Sequence, residues 1–285
     1  MEQQIHWYPG HMAKAKKAIL RDVKLVDIVI ELLDARIPHS SKNGDIDQWT
    51  TKPKIVVFNK IDMADPDATA IWKAHVEQLH PVILLNSKGG SGFKEITATA
   101  DKIMQEKRAR LRERGRIFKP IRAMIVGIPN VGKSTFINSY VKKSIAKAEN
   151  KPGVTRSNQW IKINKSFELL DTPGMLPPKI ENHNVGINLA LTGAIGYNMD
   201  NYVLSVKLLE ILAKKYPNLL SQRYNLGNTT EPSEALLENI AKNRSFILKG
   251  GKIDINRCAN MLLEELRNNK MGRLTLELPE EVWSY

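Results

Sequence analysis

Short apolar runs recur through the first two thirds of the chain, each cut off by a polar or glycine-bearing turn. Val26–Leu33 is nearly unbroken, with Asp27 and Glu31 as its only charges, and Ile55–Phe58, Val82–Leu85 and Ala123–Val126 are shorter versions of it. Uninterrupted runs of this length read as strands buried on both faces, the pattern of a parallel sheet. Helical sequence fills the gaps: a basic stretch up to about Lys24, then Asp67–Leu79, Gly92–Arg114 and Lys133–Tyr140. Strands alternating with helices predict an α/β domain, a mostly parallel sheet with helices on both faces. Trp160–Ile163 and Phe167–Leu170 predict an antiparallel pair turning at Asn164-Lys165. Beyond Pro177-Pro178 the texture turns helical, over about Val185–Ala194, Tyr202–Tyr216, Thr230–Arg244 and Asp254–Asn268. In the last of these, Ile255, Cys258, Ala259, Leu262 and Leu266 form a core-facing stripe, with Asp254 as N-cap. The two-proline break predicts two domains, residues 1–178 and a small all-helical domain, 179–285.

Charge adds a partner class to this outline. The chain has 285 residues, a formal charge of +13 and a pI near 9.7, which points to a polyanion, most simply nucleic acid. Residues 179–285 hold 13 Lys+Arg against 12 Asp+Glu, so nearly all the excess lies before them. Its densest patch is Lys102–Arg122, nine basic residues against Glu106 and Glu113. Arg108, Arg110, Arg112, Arg114 and Arg116 are the candidate RNA contacts there; a solvated helix face is the plainer alternative. A single cysteine, Cys258, excludes an intramolecular disulfide and a cysteine-based zinc cluster. With no bilayer-length apolar stretch and no signal-peptide core in Met1–Lys17, a cytoplasmic protein without stable membrane association is expected.

The chemistry concentrates in Gly127–Ser134, Gly-Ile-Pro-Asn-Val-Gly-Lys-Ser, between an apolar strand and a helix start. That is the setting of a phosphate-binding loop, whose inward-turned amides and helix dipole meet phosphate oxygens. Asn130, Val131, Gly132, Lys133, Ser134 and Thr135 are its nucleotide-binding candidates. Lys133 would reach the β- and γ-phosphates and Ser134 would place its hydroxyl on Mg²⁺. Asn59-Lys60-Ile61-Asp62 ends a second parallel strand. A buried Asp62 carboxylate would accept from guanine N1–H and the 2-amino group, and adenine would leave it unpaired. Asn59 would brace that loop, Lys60 would lie along the base, and Asn86, Ser87 and Lys88 would contact the guanine carbonyl. Asp171-Thr172-Pro173-Gly174 supplies the other phosphate end: Asp171 toward Mg²⁺ through water, and the Gly174 amide toward the γ-phosphate. Thr155, in a polar basic segment, would add its hydroxyl to Mg²⁺; an ordinary loop threonine is the alternative. Together these segments describe a guanine-specific nucleotide switch binding GTP and GDP.

Their order is unusual. The base-reading motifs precede the phosphate loop, whereas GTPases usually present the phosphate loop first, so the order is circularly permuted. A linker at Gly115–Pro120 would join the original ends. One consequence is that Gly174 leads straight into the helical domain, so loss of its γ-phosphate contact would reposition that domain.

The permuted motifs, the opening Trp7–Ala15 and Asp34-Ala35-Arg36-Ile37-Pro38 resemble the YlqF/YawG family of circularly permuted GTPases over essentially the whole chain. The resemblance implies a circularly permuted Ras-like domain followed by a helical, RNA- or ribosome-binding one. It also implies a cytoplasmic, monomeric assembly factor that binds an immature large ribosomal subunit and its rRNA. Low intrinsic GTP hydrolysis would be stimulated by the subunit. A GTP-regulated RNA-binding module, or a GTPase acting on tRNA or at a membrane, is the alternative.

Where Ras-type enzymes place a water-orienting glutamine, this chain has Met175, and a thioether does not orient water. Two candidates remain. His11, beside the basic helix, would swing to the γ-phosphate and position water; a lone histidine also fits a structural role. Asn130 occupies the position at which related GTPases hold K⁺; the plainer role for it is to stabilise the loop. Catalytic candidates are thus His11, Lys133, Thr155 and Gly174.

Overall fold

The computed structural model describes residues 5–6, 10–113, 119–145, 160–176, 179–180, 182–195 and 200–282; for 5–6, 10–15, 112, 143–145 and 179 it describes the backbone alone. In chain order the first unit contains β1 (Ile5–His6), α1 (Gly10–Asp22), β2 (Ile28–Asp34), α2 (Asp45–Trp49), β3 (Lys54–Asn59) and α3 (Pro66–Glu77). It continues with β4 (Val82–Leu85), α4 (Phe93–Glu113), β5 (Ile121–Val126), α5 (Lys133–Ile145), β6 (Trp160–Asn164), β7 (Phe167–Asp171) and β8 (Lys179–Ile180).

Six strands form one sheet in the order β4-β3-β2-β5-β7-β6, parallel except for the β6–β7 hairpin. Every residue of β2 and β3 is buried, as strands covered on both faces must be. That burial includes Glu31 and Lys54, whose side chains pair at 2.8 Å, with Asp47 also on Lys54. A charge inside an apolar strand is tolerated only with such a partner. The register brings Asp34 beside Asn59, and Asn59 beside Leu85, at one edge of the sheet. The carboxyl ends of β2, β3, β4, β5 and β7 therefore open into the same crevice, where parallel sheets bind ligands. The short β1 pairs antiparallel with β8, tying the chain's start to the segment that follows Gly174.

The second unit, Asn182–Leu276, is built from α6 (His183–Leu191), α7 (Asn201–Lys215), α8 (Pro217–Tyr224), α9 (Ser233–Asn243) and α10 (Ile255–Arg267). The stripe on α10 is buried at Cys258, Ala259, Leu262 and Leu266, and Asp254 caps the helix by accepting from Arg257 N. A short α11 (Pro279–Val282) follows.

The division corrects the expected boundary in one respect. Glu277–Tyr285 belong with the first unit, so the helical unit does not run to the chain's end. Polar bonds account for this. The Ser40 amide and hydroxyl donate to the buried Glu277 carboxylate at 2.8 and 2.5 Å, and Trp72 Nε1 donates to its carbonyl at 2.8 Å. No periodicity announces such contacts, because each pairs residues more than 200 positions apart.

Candidate functional site: a nucleotide crevice

Three loops, the phosphate loop among them, are joined by side-chain bonds. Asn59, the last residue of β3, donates from Nδ2 to the Val131 carbonyl at 2.9 Å. Its Oδ1 accepts from Ser87 N and Ser87 Oγ at 3.2 and 2.7 Å. Lys60 Nζ donates to the Asn130 carbonyl at 2.8 Å. Lys60 and Asn130 both hold left-handed backbone, φ 62° and 57°, strain that non-glycine residues retain where function demands the geometry. Gly132 has φ +103°, and a Cβ there would stand 2.5 Å from Asn59 Nδ2, so no other residue fits beneath that amide.

Charge in the crevice is arranged in two groups. Asp34 and Arg36, in the charged loop at the carboxyl end of β2, are both 2% exposed. They form a two-pronged pair, Nε to Oδ1 at 3.0 Å and Nη2 to Oδ2 at 2.8 Å, and Lys60 Nζ donates to Asp34 at 2.9 Å. Burial works against the Asp34 charge, but Arg36 and then Lys60 outweigh it and hold its carboxyl well below the usual range. Asp34 thus ties the base-reading loop to the end of β2. The charge pattern alone does not assign this pair a role, because nothing in a linear sequence shows that the two side chains are buried on each other.

Lys133 forms the second group. Buried, it donates to the Gly127 and Ile128 carbonyls, each at 2.9 Å. Burial pulls its ammonium down to about 8, with Asp171 opposing the shift. The Asp171 carboxyl is pushed up by burial, partly offset by Lys133. A Cβ on Gly174 would come 2.8 Å from Lys133 Nζ and 3.0 Å from Pro129 N. The Asp171–Gly174 loop therefore lies directly on the phosphate loop, where only a bare backbone fits. Met175 N donates to the Gly127 carbonyl at 3.2 Å, while its side chain is buried in a cluster with Ile19, Val23, Met124 and Leu170.

Other expected residues are placed as follows. Ser134 and Thr135 are exposed on the first turn of α5, Lys88 is exposed, and Asn86 Oδ1 accepts from Gly89 N at 2.8 Å. Asp62 is exposed at the rim, which corrects the expectation of a buried carboxylate: the loop leaves β3 outward, and the buried Arg36 is the charge that acts on it. Arg108 is also corrected. Its guanidinium bonds Asp101 and is only 19% exposed, so it is committed within the fold and not offered to RNA. Arg110 is 75% exposed. Thr155, Arg114 and Arg116 lie outside the described residues, and the side chains of His11 and Arg112 do too. The backbone of His11 stands in the first turn of α1, the helix whose Ile19 packs against Met175.

A parallel sheet carrying a phosphate loop, an Asp-x-x-Gly loop and a bonded Asn-Lys-x-Asp loop defines a circularly permuted GTPase. The match to known families agrees: a family model described as MMR_HSR1, 50S ribosome-binding GTPase, covers residues 122–237, starting at β5 and leaving out Asn59–Lys88. Ribosome biogenesis GTPase A of Bacillus cereus is 48% identical over 97% of this chain and 95% of its own length. Its namesake in Thermotoga maritima is 30% identical over 97% and 95%. Among solved structures, GDP-bound YlqF covers 92% of this chain and 99% of its own, at 27% identity and a TM-score of 0.67. GNP-bound YlqF from T. maritima, at 26% identity, gives 0.63 over 94% and 99%. The chain belongs to the ribosome biogenesis GTPase A family and is a GTP hydrolase.

Proposed function

We propose that this GTPase is a monomeric cytoplasmic assembly factor, binding a precursor of the large ribosomal subunit and its rRNA in the GTP state and leaving after hydrolysis. The names of its relatives and the excess of basic residues before position 179 support that reading. The observation that carries it is the single bonded unit formed by Asn59, Lys60, Ser87, Asn130 and Val131. A switch needs its base-reading and phosphate-reading loops held rigid relative to each other, so that only the γ-phosphate contacts vary.

In this reading Asp62 takes the guanine edge, and the amides of Asn130–Thr135 cradle the phosphates. Lys133 exchanges its own loop carbonyls for β- and γ-phosphate oxygens. Ser134, Asp171 and Thr155 would hold Mg²⁺. The first two fit a hard cation that takes few protein oxygens, and a nearby divalent charge would favour the Asp171 carboxylate against its burial. Such an ion, when bound, would neutralise charge that develops on the phosphates. The Gly174 amide reads the γ-phosphate. His11 positions the attacking water in place of glutamine, and Asn130 would be the residue that holds K⁺. Arg110, Arg112, Arg114 and Arg116 contact RNA phosphates.

The test is GTP turnover in K⁺ buffer with and without precursor large subunits. The expected result is a rise on the order of tenfold or more with precursors and none with tRNA; His11→Ala abolishes the rise, and Na⁺ in place of K⁺ lowers it. No stimulation by precursor particles overturns the assembly reading.

A further inference from the structure

The near balance of charge in the helical unit conceals a segregation. Lys242–Arg257 contains five basic residues, Lys242, Arg244, Lys249, Lys252 and Arg257, against Asp254 alone, and Asp254 is committed to capping α10. This segment spans the turn between α9 and α10, with Lys242 in the last turn of α9 and Arg257 in the first turn of α10. There Ile247 bridges Ile253 antiparallel, Leu248 N donates to Lys252 O at 2.7 Å, and Gly251 N to Leu248 O at 3.1 Å. Asp254 N closes the base of the turn on the Phe246 carbonyl at 2.8 Å. It is a short, bonded hairpin.

Three features of its tip are unusual for a connecting turn. Ile247 and Leu248 are 60% and 50% exposed, two consecutive large aliphatics held in water. Gly250 and Gly251 have φ +90° and +79°, and no atom lies within 4 Å of where a Cβ would stand at either, so the backbone is open to close approach. Lys249, Lys252 and Arg257 form no ion pair among the described residues; Arg257 instead lies over the Phe246 ring at 4.5 Å. Lys242 is partly spent on Glu238 at 2.9 Å, and Lys252 shares a cleft with Glu234 and Glu238. Lys249 and Arg257 are therefore the strongest free cations of the group.

We propose that the hairpin Phe246–Ile253 is an RNA-contacting element, with Lys249, Lys252 and Arg257 on phosphates and Ile247 and Leu248 against sugar or base faces. RNA is the polyanion that also presents apolar faces, and its wide, shallow minor groove admits a narrow hairpin with a bare glycine tip. An anionic membrane offers similar charge, but two aliphatic side chains without an amphipathic helix bury too little to hold a bilayer. The assignment rests on the proposed rRNA partnership.

The experiment is filter binding of the full-length, GTP-loaded chain to large-subunit rRNA across a KCl series, with Lys249→Ala/Arg257→Ala and, separately, Leu248→Ser. Removing two phosphate contacts lowers the log–log salt slope by roughly 1.4 to 1.8. Leu248→Ser weakens binding severalfold at an unchanged slope, and GTP turnover without RNA stays at the wild-type rate in both variants. Wild-type rRNA binding that both variants retain in full overturns the hairpin while leaving the proposed function standing. A wild-type chain that binds no rRNA overturns that function, and the hairpin assignment with it. Hairpin-dependent binding to phosphatidylglycerol vesicles but not to rRNA replaces RNA with a membrane.

Discussion

Asn59 and Val131 are 72 positions apart, yet the Asn59 amide donates to the Val131 carbonyl at 2.9 Å and fixes the base-reading loop to the phosphate loop. The same side chain receives both Ser87 donors. Asn59→Ala leaves that buried carbonyl and hydroxyl unpaired. A loss of about 2–4 kcal/mol follows from the cost of unsatisfied buried groups. Urea unfolding measures it. Affinity for GTP and for GDP falls together, because the bond positions both ends of the nucleotide; a variant of unchanged stability and affinity would refute the bracing role.

The Asp34–Arg36 pair predicts a second loss. Asp34→Ala strands a guanidinium that is 2% exposed, which costs about 3–5 kcal/mol. The pH dependence has a definite sign. A carboxyl held below its unfolded value stabilises the fold above the ordinary carboxylate range, and that stability is lost as pH falls through its depressed folded value. Thermal melts from pH 5 down to pH 2 should therefore drop more steeply for the wild type than for Asp34→Asn.

Met175→Gln does not restore a Ras-type catalyst. The position faces Ile19, Val23 and Leu170, not the crevice, so the new amide is buried without a partner at a cost of about 1–3 kcal/mol. The expected outcome is a lower Tm with GTP turnover no higher than wild type. Met175→Leu, close in volume, costs less than about 1.5 kcal/mol. A faster Met175→Gln enzyme would show that this side chain does reach the nucleotide.

Lys133 titrates near a usable pH. Its ammonium, pulled down to about 8 by burial, is the form that attracts phosphate, so GTP affinity falls as pH rises through 8, approaching tenfold per unit. Stability of the nucleotide-free protein moves the other way. Between about 8 and the unfolded value the unfolded chain binds the extra proton, so this residue's contribution to stability rises with pH. Titration calorimetry and denaturant midpoints from pH 7 to pH 9.5, each compared with Lys133→Met, separate the two; a pH-independent affinity contradicts the assignment.

The amino-acid sequence alone determined the strands of the parallel sheet, the phosphate and base motifs at their carboxyl ends, and the permuted order. Those features are legible because strand burial follows from short apolar runs and a phosphate loop from glycines and a lysine at short spacing. Only the tertiary structure decided which charges are spent inside the fold. The sequence shows Glu31 inside a buried run but no partner for it, and it does not show that Asp34 meets Arg36 or Arg108 meets Asp101; register or packing alone makes these pairs and joins Glu31 to Lys54. It also turned Met175 into the core and drew Glu277 back to Ser40. The physical reason is range: dihedral preference and apolar periodicity act within a few residues, whereas desolvation and ion pairing depend on neighbours that only the folded chain brings together.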